Sequence, residues 1–294
     1  MFQDMLGKSR MKINFHTHTT VSDGKKTPEE AATLYKAAGY DAIALTDHYI
    51  FSEEGSHAGL RLLSGAEYDT NLCYGREGVY HILALGCARD PEIGREEKLP
   101  AEKFVERILA AGGTPVLAHP AWSLNQPEIA LLLKDVALTE IYNSVSDAGE
   151  SSRPYSGYFA DLVACLGKPM LLLATDDTHY YAGDDETKCA VMVECAADAT
   201  EAEILAAVKA GKFYATQGPE VHIAVEGDEI VVRSSPVSRI SLFTNVAWAE
   251  GYCVRGEGLT EHRHKITPRE KFVRAEVTDR DGKAAYTNYI VLNK

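Results

Sequence analysis

His16-Thr17-His18 is the first place in this chain where residue type and spacing suggest chemistry. It follows Lys12–Phe15, which has the pattern of a short strand. On extended backbone, residues i and i+2 point the same way, roughly 6.5–7 Å apart. Two imidazoles so placed can converge on one cation, with bonds of about 2.0–2.1 Å. Ligand-type residues then recur after strand-like runs. Ala42–Leu45 leads into Thr46-Asp47-His48, Leu62–Ala66 into Glu67, Thr114–Ala118 into His119-Pro120, and Met170–Ala174 into Asp176-Asp177-Thr178-His179 by way of Thr175. Asp23 stands in Ser22-Asp23-Gly24. His81 is the exception, because it opens its run (to Leu85) instead of following one.

Each residue alone has an ordinary explanation. A histidine after a strand is commonly a hydrogen-bonded loop residue. Glu67 could cap or pair, Asp23 could make a turn, and Asp177 could cap a helix. Together, six histidines and at least two carboxylates at strand ends would be costly to gather as structure alone. Their lone pairs and charges call for a cation between them. A second pair, His262-Arg263-His264, lacks such company and reads as a surface feature. Asp47 is the expected partner of an imidazole N–H. Asn143 and Trp122 are pocket-lining candidates outside the ligand set.

Positioning these residues requires repeated strand–helix units. Strands are expected at Lys12–Phe15, Ala42–Leu45, Leu62–Ala66, Tyr80–Leu85, Thr114–Ala118, Thr139–Tyr142, Met170–Ala174 and Ala190–Glu194. Helices are expected at Pro28–Ala38, Pro100–Ala111, Pro127–Leu133, Tyr155–Leu166 and Glu201–Ala210, with Thr27 and Glu30 forming a capping box. Such alternation predicts a parallel sheet covered by helices, closed into an α/β barrel whose strand ends share one mouth. From about Pro219 the pattern changes to short strands with hairpin-like turns at Gly227-Asp228 and Asp281-Gly282. Two domains are therefore expected: a barrel over 11–217 and a small, β-sandwich-like all-β domain over 218–294.

The matching blocks resemble the polymerase-and-histidinol-phosphatase (PHP) family of metal-dependent phosphoesterases. They are Phe15–His18, Ser22–Gly24, Thr46–His48, Gly65–Glu67, His81–Gly86, His119-Pro120 and Asp177–His179, which stand in family order. The tail, with Phe213–Pro219 and Asn288, resembles more loosely the branch that includes carbaryl hydrolase. The resemblance implies a distorted (β/α)7 barrel holding two or three divalent transition metals, Mn, Zn or Fe. It assigns His16, His18, Glu67 and Asp177 to the first metal and makes Glu67 the bridge to a second, completed by His81 and His119. Asp23, His48 and His179 form the third site, where some members carry His in place of Asp23.

From that ligand set follows a mechanism without a side-chain nucleophile. Metals about 3.5–4 Å apart can share a hydroxide acidified for attack near neutral pH. No G-x-S-x-G or P-loop signature competes. The leading expectation is hydrolysis of a small phosphomonoester or nucleotide. Ester, carbamate or amide hydrolysis at the same metals is the alternative, and a non-catalytic metal-stabilised module is a third reading. The formal net charge of −13 repels nucleic acid polymers and anionic membranes, so neither is an expected partner. At 294 residues, 45% hydrophobic and 25% charged, the chain can bury a core without staples. Six cysteines without a C-x-x-C pair, and no signal peptide in the first ten residues, suggest buried thiols in a cytoplasmic protein.

Overall fold

A computed structural model describes residues 1–70, 79–148, 151–180 and 183–292. Helix α1 (Pro28–Ala37) opens with the Thr27 hydroxyl accepting from the Glu30 N–H, while the Glu30 carboxylate accepts from the Thr27 N–H. Two end donors are thus satisfied reciprocally. The remaining helices, α2 (Ala101–Ala110), the single turn α3 (Pro127–Ala130), α4 (Gly157–Cys165) and α5 (Glu201–Lys209), lie inside the predicted segments.

Strands β1 (Phe2–Gln3), β2 (Ser9–Asn14), β3 (Ala42–Ala44), β4 (Gly55–His57), β5 (Leu60–Leu63) and β6 (Gly65–Asp69) precede β7 (His81–Leu85) and β8 (Thr114–Leu117). Next come β9 (Leu138–Asn143), β10 (Leu171–Thr175), β11 (Ala190–Glu194) and β12 (Phe213–Thr216). From there every element is a strand: β13 (Val221–Glu226), β14 (Glu229–Thr244), β15 (Cys253–Lys265), β16 (Phe272–Thr278), β17 (Ala284–Tyr286) and β18 (Ile290–Val291).

These strands form two sheets. The larger has the order β13-β14-β16-β17-β12-β11-β2-β3-β5-β4, and the smaller β10-β9-β8-β7-β6. Both are mixed, which corrects the expectation of parallel pairing. β2–β3, β3–β5, β8–β9 and β9–β10 are parallel, whereas β6–β7, β7–β8 and β2–β11 are antiparallel. For β6–β7 the cause is legible: only residues 70–80 separate them, fewer than the dozen or more that a parallel crossover needs.

The expected closed barrel is not formed as one hydrogen-bonded sheet among the described residues. The run Leu62–Ala66, read as a single strand, divides at Ser64 into β5 and β6, which join different sheets. Ser64 donates its N–H and hydroxyl to Glu201 at the start of α5, so the chain turns from one sheet to the other there. Isolated pairings of His48 with Glu67 and Ser52 with Gly65 span this seam. The two sheets nevertheless share one core, in which Ile13, Ala44 and Leu63 pack with Leu83, Val116, Leu138 and Leu173.

The C-terminal strands connect to the larger sheet through β12–β17 pairing. Arg274 on β16 is fully buried and ties this region to α4. Its Nε and Nη2 each lie 2.8 Å from an Asp161 carboxylate oxygen, and the Phe243 ring covers the guanidinium at 4.0 Å. Cys87 and Cys189 are buried as expected, but Cys165 and Cys253 are exposed; Cys73 lies outside the described residues. No helix among the described residues is long and apolar enough to cross a membrane.

Removing one partner of a buried ion pair strands the other. Arg274→Ala should therefore destabilise the protein by about 3 kcal/mol, the lower part of the usual range because Asp161 keeps some solvent access. Urea unfolding followed by circular dichroism checks this through the shift in midpoint.

Candidate metal centre

Two short backbone pairings assemble the ligand-type residues. Thr17 pairs in parallel with Thr178, through His18 N–H to Thr178 O at 3.0 Å and Asp177 N–H to His16 O at 2.9 Å. Side chains flanking a paired position share a face, so His16 and His18 meet Asp177 and His179. His48 pairs in parallel with Glu67. The Thr46 N–H donates to Thr17 O at 2.9 Å, which brings the second pairing beside the first. His81 ceases to be an exception here. β7 runs antiparallel to β6, with His81 opposite Asp69, so the start of β7 lies where its neighbours end. Asp23 arrives on a turn that needs glycine next to it, since a Cβ on Gly24 would lie 2.5 Å from the His18 carbonyl. His119 and Asp177 have φ of 25° and 51°, left-handed values that are uncommon for residues with a Cβ.

All nine predicted residues are brought together. His16 Nε2 is 3.2 Å from His18 Nε2, and each of these nitrogens is 3.0 Å from Asp177 Oδ1. Glu67 Oε2 lies 3.1 Å from His18 Nε2 and 3.4 Å from His16 Nε2. Atoms coordinating one cation tetrahedrally at about 2.0–2.1 Å would be separated by roughly 3.3–3.4 Å, so this group fits one ion. On its other side Glu67 Oε1 meets His81 Nδ1 at 2.8 Å and His119 Nε2 at 3.4 Å. His48 stands between groups, with Nδ1 3.2 Å from Glu67 Oε2 and Nε2 3.7 Å from Asp23 Oδ2. His179 Nε2 and His18 Nδ1 lie 3.4 and 3.7 Å from Asp23 Oδ1. His18 Nδ1, His48 Nδ1 and Asp177 Oδ1 are buried without a hydrogen-bond partner. Orphaned nitrogens and carboxylate oxygens of this kind suit a divalent transition metal.

Behind this cluster stands a residue that the sequence reading missed. Glu140 is fully buried in β9. Its Oε1 accepts from His16 Nδ1 at 2.7 Å and the Thr175 hydroxyl at 2.6 Å, and its Oε2 accepts from the His119 N–H and Asn143 Nδ2, both at 2.8 Å. A proton on His16 Nδ1 leaves the Nε2 lone pair facing the cluster. The available signal was a glutamate inside the apolar run Leu138–Tyr142. Asp47, expected in this role, instead accepts from the backbone and hydroxyls of Thr19 and Ser22. It braces the turn carrying Asp23 and holds no imidazole. Asn143 also donates to Asp177 Oδ2 at 3.1 Å. Asp69, two residues from Glu67 and on the same strand face, lies 3.7 Å from His48 Nδ1.

The electrostatics point the same way. Burial lowers the basicity of His16, but Asp177, Glu67 and Glu140 outweigh it and hold the imidazole well above its ordinary value. For His18, burial opposes and Asp177 and Glu67 again prevail, raising its pKa to about 9. Burial would raise the Glu67 and Asp177 carboxyls, yet the surrounding imidazoles, His16 first, hold both far below the usual range. Carboxylates and imidazoles thus stabilise one another's charged forms, and the same buried carboxylates would attract a metal cation in place of the protons. The pair His262 and His264 stays outside this cluster. His262 Nε2 faces the Gly251 carbonyl at 2.6 Å, and His264, buried where a surface position was expected, pairs with Glu270 at 2.9 Å. A further group, Asp4, Glu220 and His222, already has a cation in Arg10, whose Nε lies 2.5 Å from Asp4.

Residues 14–147 match the PHP domain family, a span that includes His16 through His119 and stops short of Asp177 and His179. No curated protein matches the chain. Among solved structures, it is similar to a two-domain protein from Bacteroides vulgatus containing a predicted PHP-like metal-dependent phosphoesterase. That likeness has a TM-score of 0.52 and 16% identity over 99% of this chain and 98% of the other, and it shows a shared fold. It is also similar to an amidohydrolase from Chromobacterium violaceum, with a TM-score of 0.44 and 18% identity over 58% of this chain and 89% of the other.

Glu140→Gln keeps the size of the side chain but removes the charge that orients His16. Metal affinity should fall about 10–100-fold with the circular dichroism spectrum unchanged, as read by titration against a chromophoric chelator. In the same assay His262→Ala should match wild type.

Proposed function

Because residues 14–147 carry a PHP domain, we propose that this chain is a metal-dependent phosphoesterase acting on a small phosphomonoester or nucleotide. The observation that supports this most directly is Glu67, one buried carboxylate lying within 3.4 Å of five imidazoles. In the proposed arrangement His16, His18, Glu67 and Asp177 hold one metal, Glu67 bridges to a second completed by His81 and His119, and Asp23, His48 and His179 hold a third. The barrel over 11–217 would be of the distorted (β/α)7 type, with 218–294 as the attached β domain. A cytoplasmic setting fits the unpaired cysteines.

Divalent cations held there supply an acidified water and neutralise phosphoryl oxygens. The protein's own groups prepare the site. Glu140 sets the His16 tautomer, Ser123 Oγ lies 2.9 Å from His119 Nδ1, and His179 Nδ1 donates to the Asp177 carbonyl at 2.8 Å. Each contact leaves the opposite ring nitrogen to face a carboxylate of the cluster. Asp23 is half exposed while the other proposed ligands are largely buried, so substrate would approach from its side. Arg95, itself exposed, lies 4.0 Å from Asp69 with its guanidinium 4.9 Å from the Tyr49 ring centre. It offers a cation near His48 for a phosphate oxygen.

Protein purified without chelator should carry at least two transition-metal ions per chain by elemental analysis. Glu67→Gln should weaken both sites together and lower kcat by at least ~10²-fold, about 2.7 kcal/mol of transition-state stabilisation, with an unchanged circular dichroism spectrum. Phosphomonoesters should be turned over in preference to aryl carbamates and carboxylic esters. Two retained metals with near-normal turnover in Glu67→Gln would defeat the bridging role, and preference for carbamates would defeat the phosphoesterase reading.

A further inference from the structure

The Trp122 indole lies edge-to-face against two proposed ligands. Its ring centre is 5.0 Å from that of His119 and 5.6 Å from that of His81, at interplanar angles of 80° and 81°. Both imidazoles are buried, yet the tryptophan is 40% exposed. An aromatic side chain that served only as packing would gain by being covered. Here it links the cluster to solvent, with Leu124, 60% exposed, two residues further on.

The loop that carries it is fastened on both sides. The Ser123 N–H donates to His119 O at 3.1 Å, the Asn125 N–H to Pro120 O at 3.0 Å, and the Ala121 N–H to Ser156 Oγ at 3.1 Å. From the facing segment, the Val79 N–H donates to Ser123 O at 3.2 Å, and Asn125 Nδ2 donates to Val79 O at 2.8 Å. The indole is therefore presented by backbone already ordered before any ligand arrives, which lowers the entropy lost on binding. A flat aromatic surface beside the reacting centre best matches a flat partner, because stacking depends on overlapping faces and an alkyl chain offers none.

Resting on the phosphoesterase reading above, we propose that Trp122 is a specificity-determining residue that stacks on the organic part of the substrate, making the preferred substrate a phosphate ester of an aromatic or heteroaromatic group. The chain has two tryptophans, and the other, Trp248, is 77% exposed between β14 and β15. Trp248→Phe thus leaves Trp122 as the sole indole reporter.

In metal-loaded Trp248→Phe protein, phenylphosphonate should change the tryptophan emission saturably and bind about tenfold more tightly than methylphosphonate, which competes with it. With the native tryptophans, the ratio of KM for methyl phosphate to KM for phenyl phosphate should fall about tenfold in Trp122→Ala and only partly in Trp122→Phe, which keeps a ring. Metal content should stay at the wild-type level in both. Equal affinity for the two phosphonates, or an unchanged KM ratio in Trp122→Ala, would overturn the stacking role. Loss of metal in Trp122→Phe would instead make the indole a cover for His81 and His119. If metal-replete wild type hydrolysed neither ester, the phosphoesterase reading would fall, and the phosphonate titration would still decide whether Trp122 selects flat ligands.

Discussion

Buried negative charge at Glu67, Asp177 and Glu140 is the constraint around which this molecule is arranged. Three carboxylates with almost no solvent contact cannot remain ionised unless positive charge lies close to them. The surrounding imidazoles respond, with His16 and His18 raised in basicity against the opposing effect of burial. Protons satisfy that demand only in part, because His18 Nδ1, His48 Nδ1 and Asp177 Oδ1 still lack hydrogen-bond partners. Divalent ions meet both needs at once, neutralising carboxylates and accepting lone pairs.

Holding such groups together places demands on the backbone. The Thr17–Thr178 pairing is an isolated bridge beyond the ends of β2 and β10, and the His48–Glu67 pairing joins the segment after β3 to the free side of β6. Left-handed backbone at His119 and Asp177 and the close contact of Gly24 with His18 are local departures of the kind that surrounding structure must enforce. That enforcement comes from the buried strands β6, β7 and β8 and from polar bracing by Asp47, Asn143 and Glu140.

The division of the wall into two sheets belongs to the same arrangement. At Ser64 the chain leaves one sheet for the other, and Glu201 takes up the freed backbone donor. The seam runs beside Glu67, which pairs across it with His48. A carboxylate at a seam can face ring nitrogens from both sides, a position that a residue in an uninterrupted ladder would share with fewer neighbours.

Residue types and their local order were enough to single out the candidate ligands, the helix starts and most of the strands. They sufficed because metal-ligand side chains, capping boxes and apolar runs are properties of a few consecutive residues. The nine candidate ligands needed no tertiary information to be singled out. Strand direction did, since hydrogen bonding between distant segments decides it; only the antiparallel course of β7 explains why His81 opens its strand instead of following it. The same holds for the imidazole-orienting carboxylate. Asp47 is adjacent to His48 in sequence but turns to Thr19 and Ser22, whereas Glu140, far along the chain from His16, reaches its Nδ1 at 2.7 Å. A ligand can be recognised by its chemistry, but its supporting partner is defined by proximity, and proximity between distant residues exists only once the chain has folded.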